Sequence, residues 1–167
     1  MKRDLSEHPE QVYQLALRYL ARREHAKEEI RQKLLRKGAT ADAVDDVIQR
    51  LQSEGLLSDE RYAAALVRQR RDYTRRGRKV VLAELHHWGV DRDIAESVVE
   101  EEYNAESEYA VIKELVKKAL PAILSVEDSD LRRKRIVALQ RRLLSRGFSP
   151  SMVYELVDEA VSKCREN

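Results

Sequence analysis

Apolar residues recur along this chain at the three- and four-residue steps of a helix, and no stretch alternates as a half-buried strand would. Pro9 opens a first helix to about Arg22, with Val12, Tyr13, Ala16, Leu17 and Leu20 on one face. A second spans about Lys27–Lys37 with Ile30 and Leu34 inward, and a third runs from Thr40 to about Glu54, ended by Gly55. Ser58 or Asp59 then caps a helix whose inner face is Tyr62, Ala63, Leu66 and Val67, and Gly77 is expected to break the chain at an Arg-rich bend whose side chains fan outward. Val80, Val81, Ala83 and Leu85 drive the next helix to Gly89, and another follows from Asp91 to about Tyr103. A helix from about Ala105 faces inward through Tyr109, Ile112, Leu115 and Val116, and Pro121 is expected to end it. A basic helix from about Asp130 to Arg146 and a last one from Pro150 to about Lys163 complete the series.

One stretch occurs three times: Leu34-Leu35-Arg36-Lys37-Gly38-Ala39-Thr40, Leu85-His86-His87-Trp88-Gly89-Val90-Asp91 and Leu143-Leu144-Ser145-Arg146-Gly147-Phe148-Ser149. Each is a helix end followed by a helix start. Gly takes the left-handed position after the last turn, the apolar residue folds back onto it, and Thr, Asp or Ser caps the next helix. The interval from Gly38 to Gly89 is close to that from Gly89 to Gly147, the second being slightly longer. The pattern predicts an all-α fold of three tandem three-helix repeats in an elongated, curved array. Residues 1–8 form a flexible tail, 9–57 repeat 1, 58–104 repeat 2, and 105–167 repeat 3, whose insertion near 120–129 accounts for the longer interval.

Charge sharpens this picture. The 167 residues carry a net charge of only +2, yet the cations are bunched. Residues 22–37 hold seven Lys/Arg against three acids, 68–79 seven against Asp72, and 132–146 seven with no acid. Acids gather instead on the third helices, as at Asp42, Asp45, Asp46, Glu96, Glu100, Glu101 and Glu102. Stacked in register, the repeats would show one positive stripe and a separate negative one. Recurrence of the basic block in each repeat points to an anionic partner, either a nucleic-acid backbone or an acidic protein surface. A membrane surface fits less well, because the basic helices have no bulky aromatic face. A helix-turn-helix reading would place an acidic helix in the major groove, where it would repel phosphates.

Catalytic and metal-binding patterns are missing. His8, His25, His86 and His87 form no His-x-x-x-His, the single Cys164 forms no Cys-x-x-Cys, and no glycine-rich phosphate loop exists. Neither an enzyme nor a cofactor is expected. The lone cysteine suits a reducing cytoplasm. No apolar run reaches the length of about 20 residues that spans a bilayer.

Longer stretches are similar to a known family. Arg23 to Leu34 (REHAKEEIRQKL) resembles the first-repeat signature of the RecX regulatory proteins, and Leu51 to Ala63 (LQSEGLLSDERYA) their junction of repeats one and two. Gly77-Arg78 followed by Ala83-Glu84-Leu85 and Gly89-Val90 resembles the middle-repeat pattern. The similarity spans about residues 10 to 160. Ala26 departs from it, standing where the family usually has a capping Ser or Thr, and so does His86-His87-Trp88, where polar residues and a Lys are usual. The resemblance implies a bacterial modulator of the RecA recombinase that acts in DNA repair, homologous recombination and the SOS response, and a cytoplasmic monomer is expected. Such a protein lies in the groove of the RecA filament on single-stranded DNA and suppresses its ATPase, strand-exchange and co-protease activities. The residues expected to meet filament or DNA are Arg23, Lys27, Arg31, Arg71, Arg75, Arg76, Arg78, Lys79, Arg132, Arg133, Arg135, Arg141 and Arg142. A stand-alone DNA-binding repeat protein and a purely structural helical scaffold are the alternatives.

Overall fold

The computed structural model describes residues 9–163, so the expectations for the first eight residues and for Cys164 lie outside it. Among the described residues are α1 (Pro9–Leu20), α2 (Lys27–Arg36), α3 (Ala41–Ser53), α4 (Asp59–Gln69), α5 (Arg78–His87), α6 (Arg92–Glu102), α7 (Ala105–Leu124), α8 (Ser129–Ser145) and α9 (Pro150–Lys163). A single π-helical turn, Arg70–Thr74, extends α4. No strand occurs among the described residues. The all-α expectation and the three helix–turn–helix copies are both found.

Each copy is closed by the same backbone device. Gly38 has a φ of 91°, Gly89 of 69° and Gly147 of 84°. Only glycine enters that region without steric cost. Two crossed hydrogen bonds then finish each helix. In the first copy the Ala39 N–H donates to the Leu34 carbonyl (3.2 Å) and the Gly38 N–H to that of Leu35 (2.9 Å). Val90 and Gly89 do the same to Leu85 and His86, as do Phe148 and Gly147 to Leu143 and Leu144. The apolar residue after each glycine is buried: Ala39, Val90 and Phe148. The Thr40 hydroxyl and the Asp91 carboxylate accept from backbone N–H groups of the next helix, as expected, whereas the Ser149 hydroxyl meets that of Ser151.

The chain divides into two compact units, one of Met1–Leu66 with Glu84–Val98 and one of Val67–Ala83 with Val99–Asn167. The division passes through α4, α5 and α6. In the first unit α1, α2 and α3 pack pairwise around Val12, Ala16, Ile30, Leu34, Val44 and Leu51, all fully buried. In the second, α7, α8 and α9 pack pairwise, with Val111, Ile112, Leu143, Val153 and Val157 inward.

Three expectations need correction. Pro121 does not end a helix: α7 continues to Leu124. Its missing N–H leaves only the carbonyl of exposed Lys117 unpaired within the helix. Leu120 and Ile123 on either side are buried and hold the last turn in place. The chain reverses before Gly77, at Arg75, whose φ of 51° is left-handed. Gly77 serves a close approach instead. It is buried, its N–H donates to the Arg146 carbonyl (2.8 Å), and a side chain there would collide with the Gly147 carbonyl and the Phe148 nitrogen. Nor do the side chains of the bend all fan outward. Arg75 bonds Glu114 (3.1 Å) and Arg78 bonds Glu100.

Two glycine substitutions separate these constraints. Gly38→Ala meets open space. It should cost about 1 kcal/mol, from its left-handed backbone alone. Gly77→Ala drives a methyl into backbone atoms that cannot rotate away. It should cost about 3 kcal/mol. Urea unfolding checks the order, and equal losses would mean that the α5–α8 junction relaxes freely.

Candidate nucleic-acid interface

The thirteen candidate cations fall into two groups once their partners are known. In the first block, Arg23 is not on the same helix face as Lys27 and Arg31, because it precedes α2. It turns back and grips Glu29 with both guanidinium nitrogens (2.5 and 3.1 Å). Glu29 is buried and also accepts from Lys33 (2.9 Å). Burial pushes its carboxyl up, but the bonds from Arg23 and Lys33 outweigh that and leave it below the ordinary carboxylate range. Arg31 bonds Asp45 and Glu28. Only the half-buried Lys27 side chain has no carboxylate partner among the candidates of this block in the described residues, although its backbone N–H donates to the Asp59 carboxylate (2.7 Å).

That last bond answers the question posed by Ala26, which makes no side-chain cap. Asp59, the first residue of α4, caps α2 from outside. The device recurs at α5, where the Arg78 N–H donates to the buried Glu108 carboxylate of α7 (2.9 Å). Burial pushes Glu108 up, against the pull of that N–H and of the Arg78 charge. Neither cap is visible in local sequence, since donor and acceptor are 32 and 30 residues apart.

In the middle block the acids of α6 meet the cations rather than forming a separate stripe. Glu102 takes Arg68 (2.5 Å), and its backbone carbonyl accepts from Arg71, which also holds Asp72 (2.7 Å). Arg75 and Arg78 are paired as described. Arg76 and Lys79 alone among the candidates of this block make no ion pair among the described residues.

The third block differs. Arg132 donates to the carbonyls of Val126 and Glu127 (3.1 Å each) and Arg135 to that of Ala122 (3.5 Å). Arg135 therefore serves the last turn of α7, where a helix favours positive charge, and Arg132 the turn that follows it. Arg133, Arg141 and Arg142 are exposed and have no carboxylate partner among the described residues. Arg133 and Arg141 line one shallow hollow on α8 with Lys134, Val137 and Ala138. Arg142 and Arg146 line another with Leu115, Lys118 and Leu139. Lys134 and Arg146 were absent from the candidate residues. Burial pushes the Arg146 guanidinium down, and the positive charges of Arg142 and Arg76 add to this. The backbone contact of Gly77 with Arg146 therefore brings Arg76 of the second block beside the third. From Arg133 to Arg146 the unpaired cations extend over about 20 Å of helix. That surface can hold polyanions. Among the described residues no group of His, Cys, Asp or Glu could hold a metal ion, and no helix is long and apolar enough to cross a membrane.

Comparison with known proteins gives a consistent result. Residues 13–51 match the family model described as RecX, first three-helix domain, and residues 58–99 that described as RecX, second three-helix domain. The chain is 32% identical to the regulatory protein RecX of Prosthecochloris aestuarii, over 88% of this chain and 91% of that protein. It is 32% identical to that of Pelodictyon phaeoclathratiforme over 76% of this chain and 77% of that protein. The crystal structure of RecX from Lactobacillus salivarius shares the fold, with a TM-score of 0.78 at 24% identity over 93% of this chain and 97% of that one.

The Glu29 cluster has a pH signature. The His25 ring is buried, with Nδ1 against the Arg23 carbonyl (2.9 Å) and Nε2 against the Lys33 ammonium (2.8 Å). Nε2 can accept from Lys33 only while the imidazole is neutral, with its proton on Nδ1. Burial pushes its pKa below 6.5, outweighing the Arg23 carbonyl and the Glu29 charge. As pH falls below 6.5 the unfolded chain binds the proton first, so stability present at neutral pH drains through the window beneath that value. Glu108, with its raised pKa, acts in the opposite sense, so the ring itself is the cleaner readout. Nitrogen-15 NMR should show His25 titrating below 6.5, and Lys33→Met should change its midpoint. Titration of His25 at or above 6.5 would mean that burial does not outweigh the Arg23 carbonyl and the Glu29 charge.

Proposed function

Because this chain belongs to the RecX family of regulatory proteins, we propose that it is a negative regulator of the RecA recombinase. It binds the RecA filament on single-stranded DNA, lies in the filament groove, and inhibits ATP hydrolysis, strand exchange and co-protease activity. The observation that carries this reading beyond the family is the unpaired cation surface of α8 with Arg76, Lys79 and Arg146. A surface used only for solubility needs no such concentration, and this chain neutralises most of its other basic candidates internally. An anion in the groove, phosphate or acidic side chain, would take the place that carboxylates fill elsewhere in the molecule. The protein acts as a monomer in the cytoplasm, and several modest contacts on one chain raise effective concentration enough to give useful affinity.

The first group of candidates has a structural role in this reading. Arg23, Arg31, Arg71, Arg75, Arg78, Arg132 and Arg135 hold the shape of the surface, whereas Lys27, Arg76, Lys79, Arg133, Arg141 and Arg142 touch the filament.

Titrating the protein into RecA filaments while following ATP hydrolysis tests this, with binding to bare single-stranded DNA as the control. Inhibition is expected, and Arg133→Gln with Arg141→Gln and Arg142→Gln should weaken it at unchanged stability. If these side chains meet phosphates, the slope of log affinity against log salt should flatten by about one unit per lost contact. Arg23→Gln should instead lower the unfolding midpoint, because it strips a partner from buried Glu29. Tight binding to bare DNA with no effect on hydrolysis would assign the surface to direct DNA binding and remove RecA from the account.

A further inference from the structure

The helix extension in the third repeat forms a second surface of different chemistry. The first helix of that repeat, α7, has 20 residues where its counterpart α1 has 12. The excess adds about 12 Å of helix. Along this end of α7 Val116, Leu120 and Leu124, four residues apart, form an apolar row that is buried at Val116 and Leu120 and half-exposed at Leu124, and buried Leu156 and half-exposed Ala160 of α9 form a second row beside it. Between them is an open groove of about 520 Å³. Its floor has no polar group suited to a base or a sugar. Its rim is basic. Lys113 and Lys117 of α7 and Lys163 of α9 stand around it, and Glu159 is the one acid in its lining. Glu159 is already taken by Lys163, while Lys113 and Lys117 make no ion pair among the described residues.

We propose that this groove binds an acidic amphipathic helix of a partner protein, its apolar stripe on the two rows and its carboxylates against Lys113 and Lys117. An apolar groove bordered by unpaired cations selects both features together, because neither a polar acidic tail nor a basic amphipathic helix satisfies floor and rim. A bilayer is flat where this surface is concave. A second copy of the chain is a poor occupant, because its acidic helices already have their apolar faces covered: Val44, Val47, Ile48 and Leu51 of α3, and Ala95 and Val99 of α6, are buried. This inference is independent of any contact with RecA or DNA.

The test uses the full chain and a fluorescein-labelled helical peptide with leucines at i, i+3, i+4 and i+7 and flanking glutamates, followed by anisotropy. A scrambled peptide of equal composition and a lysine-flanked version of the amphipathic one are the controls. The acidic amphipathic peptide should bind and the controls should not. Leu124 is half-exposed in the last turn of α7. Leu124→Asp should weaken binding at least about tenfold, with circular dichroism unchanged. Lys113→Glu with Lys117→Glu should weaken it likewise and confer binding of the lysine-flanked peptide. Equal binding of the scrambled peptide, indifference to Leu124→Asp, or no binding at all would overturn the proposal. So would Leu124-dependent self-association in sedimentation, which would give the groove to a second copy, or Leu124-dependent binding to phosphatidylglycerol vesicles, which would give it to a membrane.

Discussion

Every helix end leaves backbone groups without intrahelical partners, and satisfying them is the constraint on which this structure depends. Most of the helices are short, from the three turns of α2 to the four of α9, so a large share of the backbone lies near an end. Glycine in the left-handed conformation closes α2, α3, α5 and α8 by the same pair of crossed bonds. Arginine serves the C-termini of α6 and α7, through Arg71 and Arg135. Carboxylates serve the N-termini of α2 and α5, and these come from other helices. End-capping is therefore tertiary structure here. Asp59 ties α2 to α4, and Glu108 ties α5 to α7.

The same requirement sorts the charges. An arginine that reaches a carbonyl or a buried carboxylate has little left to offer a partner, and the pull on it is strongest where burial removes water, as at Glu29. Exposed pairs such as Arg92 with Glu96 contribute little to stability. What remains after this internal neutralisation is concentrated on α8, a long helix that buries only Leu139 and Leu143.

The repeat was legible because its signal is local. Glycine after a leucine by four residues, then an apolar residue, then a capping side chain, specifies one backbone geometry with one side-chain requirement at each step. Helix ends followed closely, as did Gly55 as the end of α3. The errors arose where a distant element overrode a local preference. Pro121 disfavours helix, yet buried Leu120 and Ile123 hold the turn around it. Gly77 suggested a helix break, yet its lack of a side chain is used for contact with Gly147, far along the chain. The candidate interface was half legible. The clustering of cations was in the sequence, but their pairing depended on which acids the fold brings near, and no spacing rule connects Arg78 with Glu100 or Arg75 with Glu114.

Charge density is therefore a poor guide to binding within such a repeat, and charge left over after pairing is a better one. The third block has no acid of its own, and only two of its arginines are diverted, to the end of α7 and the turn after it. The first block has three acids within it and more on α3, and most of its candidate cations are taken. A duplicated unit can thus keep one sequence pattern while its copies separate in role, one using its cations to build the fold and another presenting them. The inserted segment at 120–129 extends the same divergence. Its first residues, 120–124, continue α7 as helix and border a groove in which Leu124 and Ala160 stay half-exposed. Buried Leu120 and Ile123 hold that last turn to the unit, and the lysines that border the groove set the charge of whatever binds there.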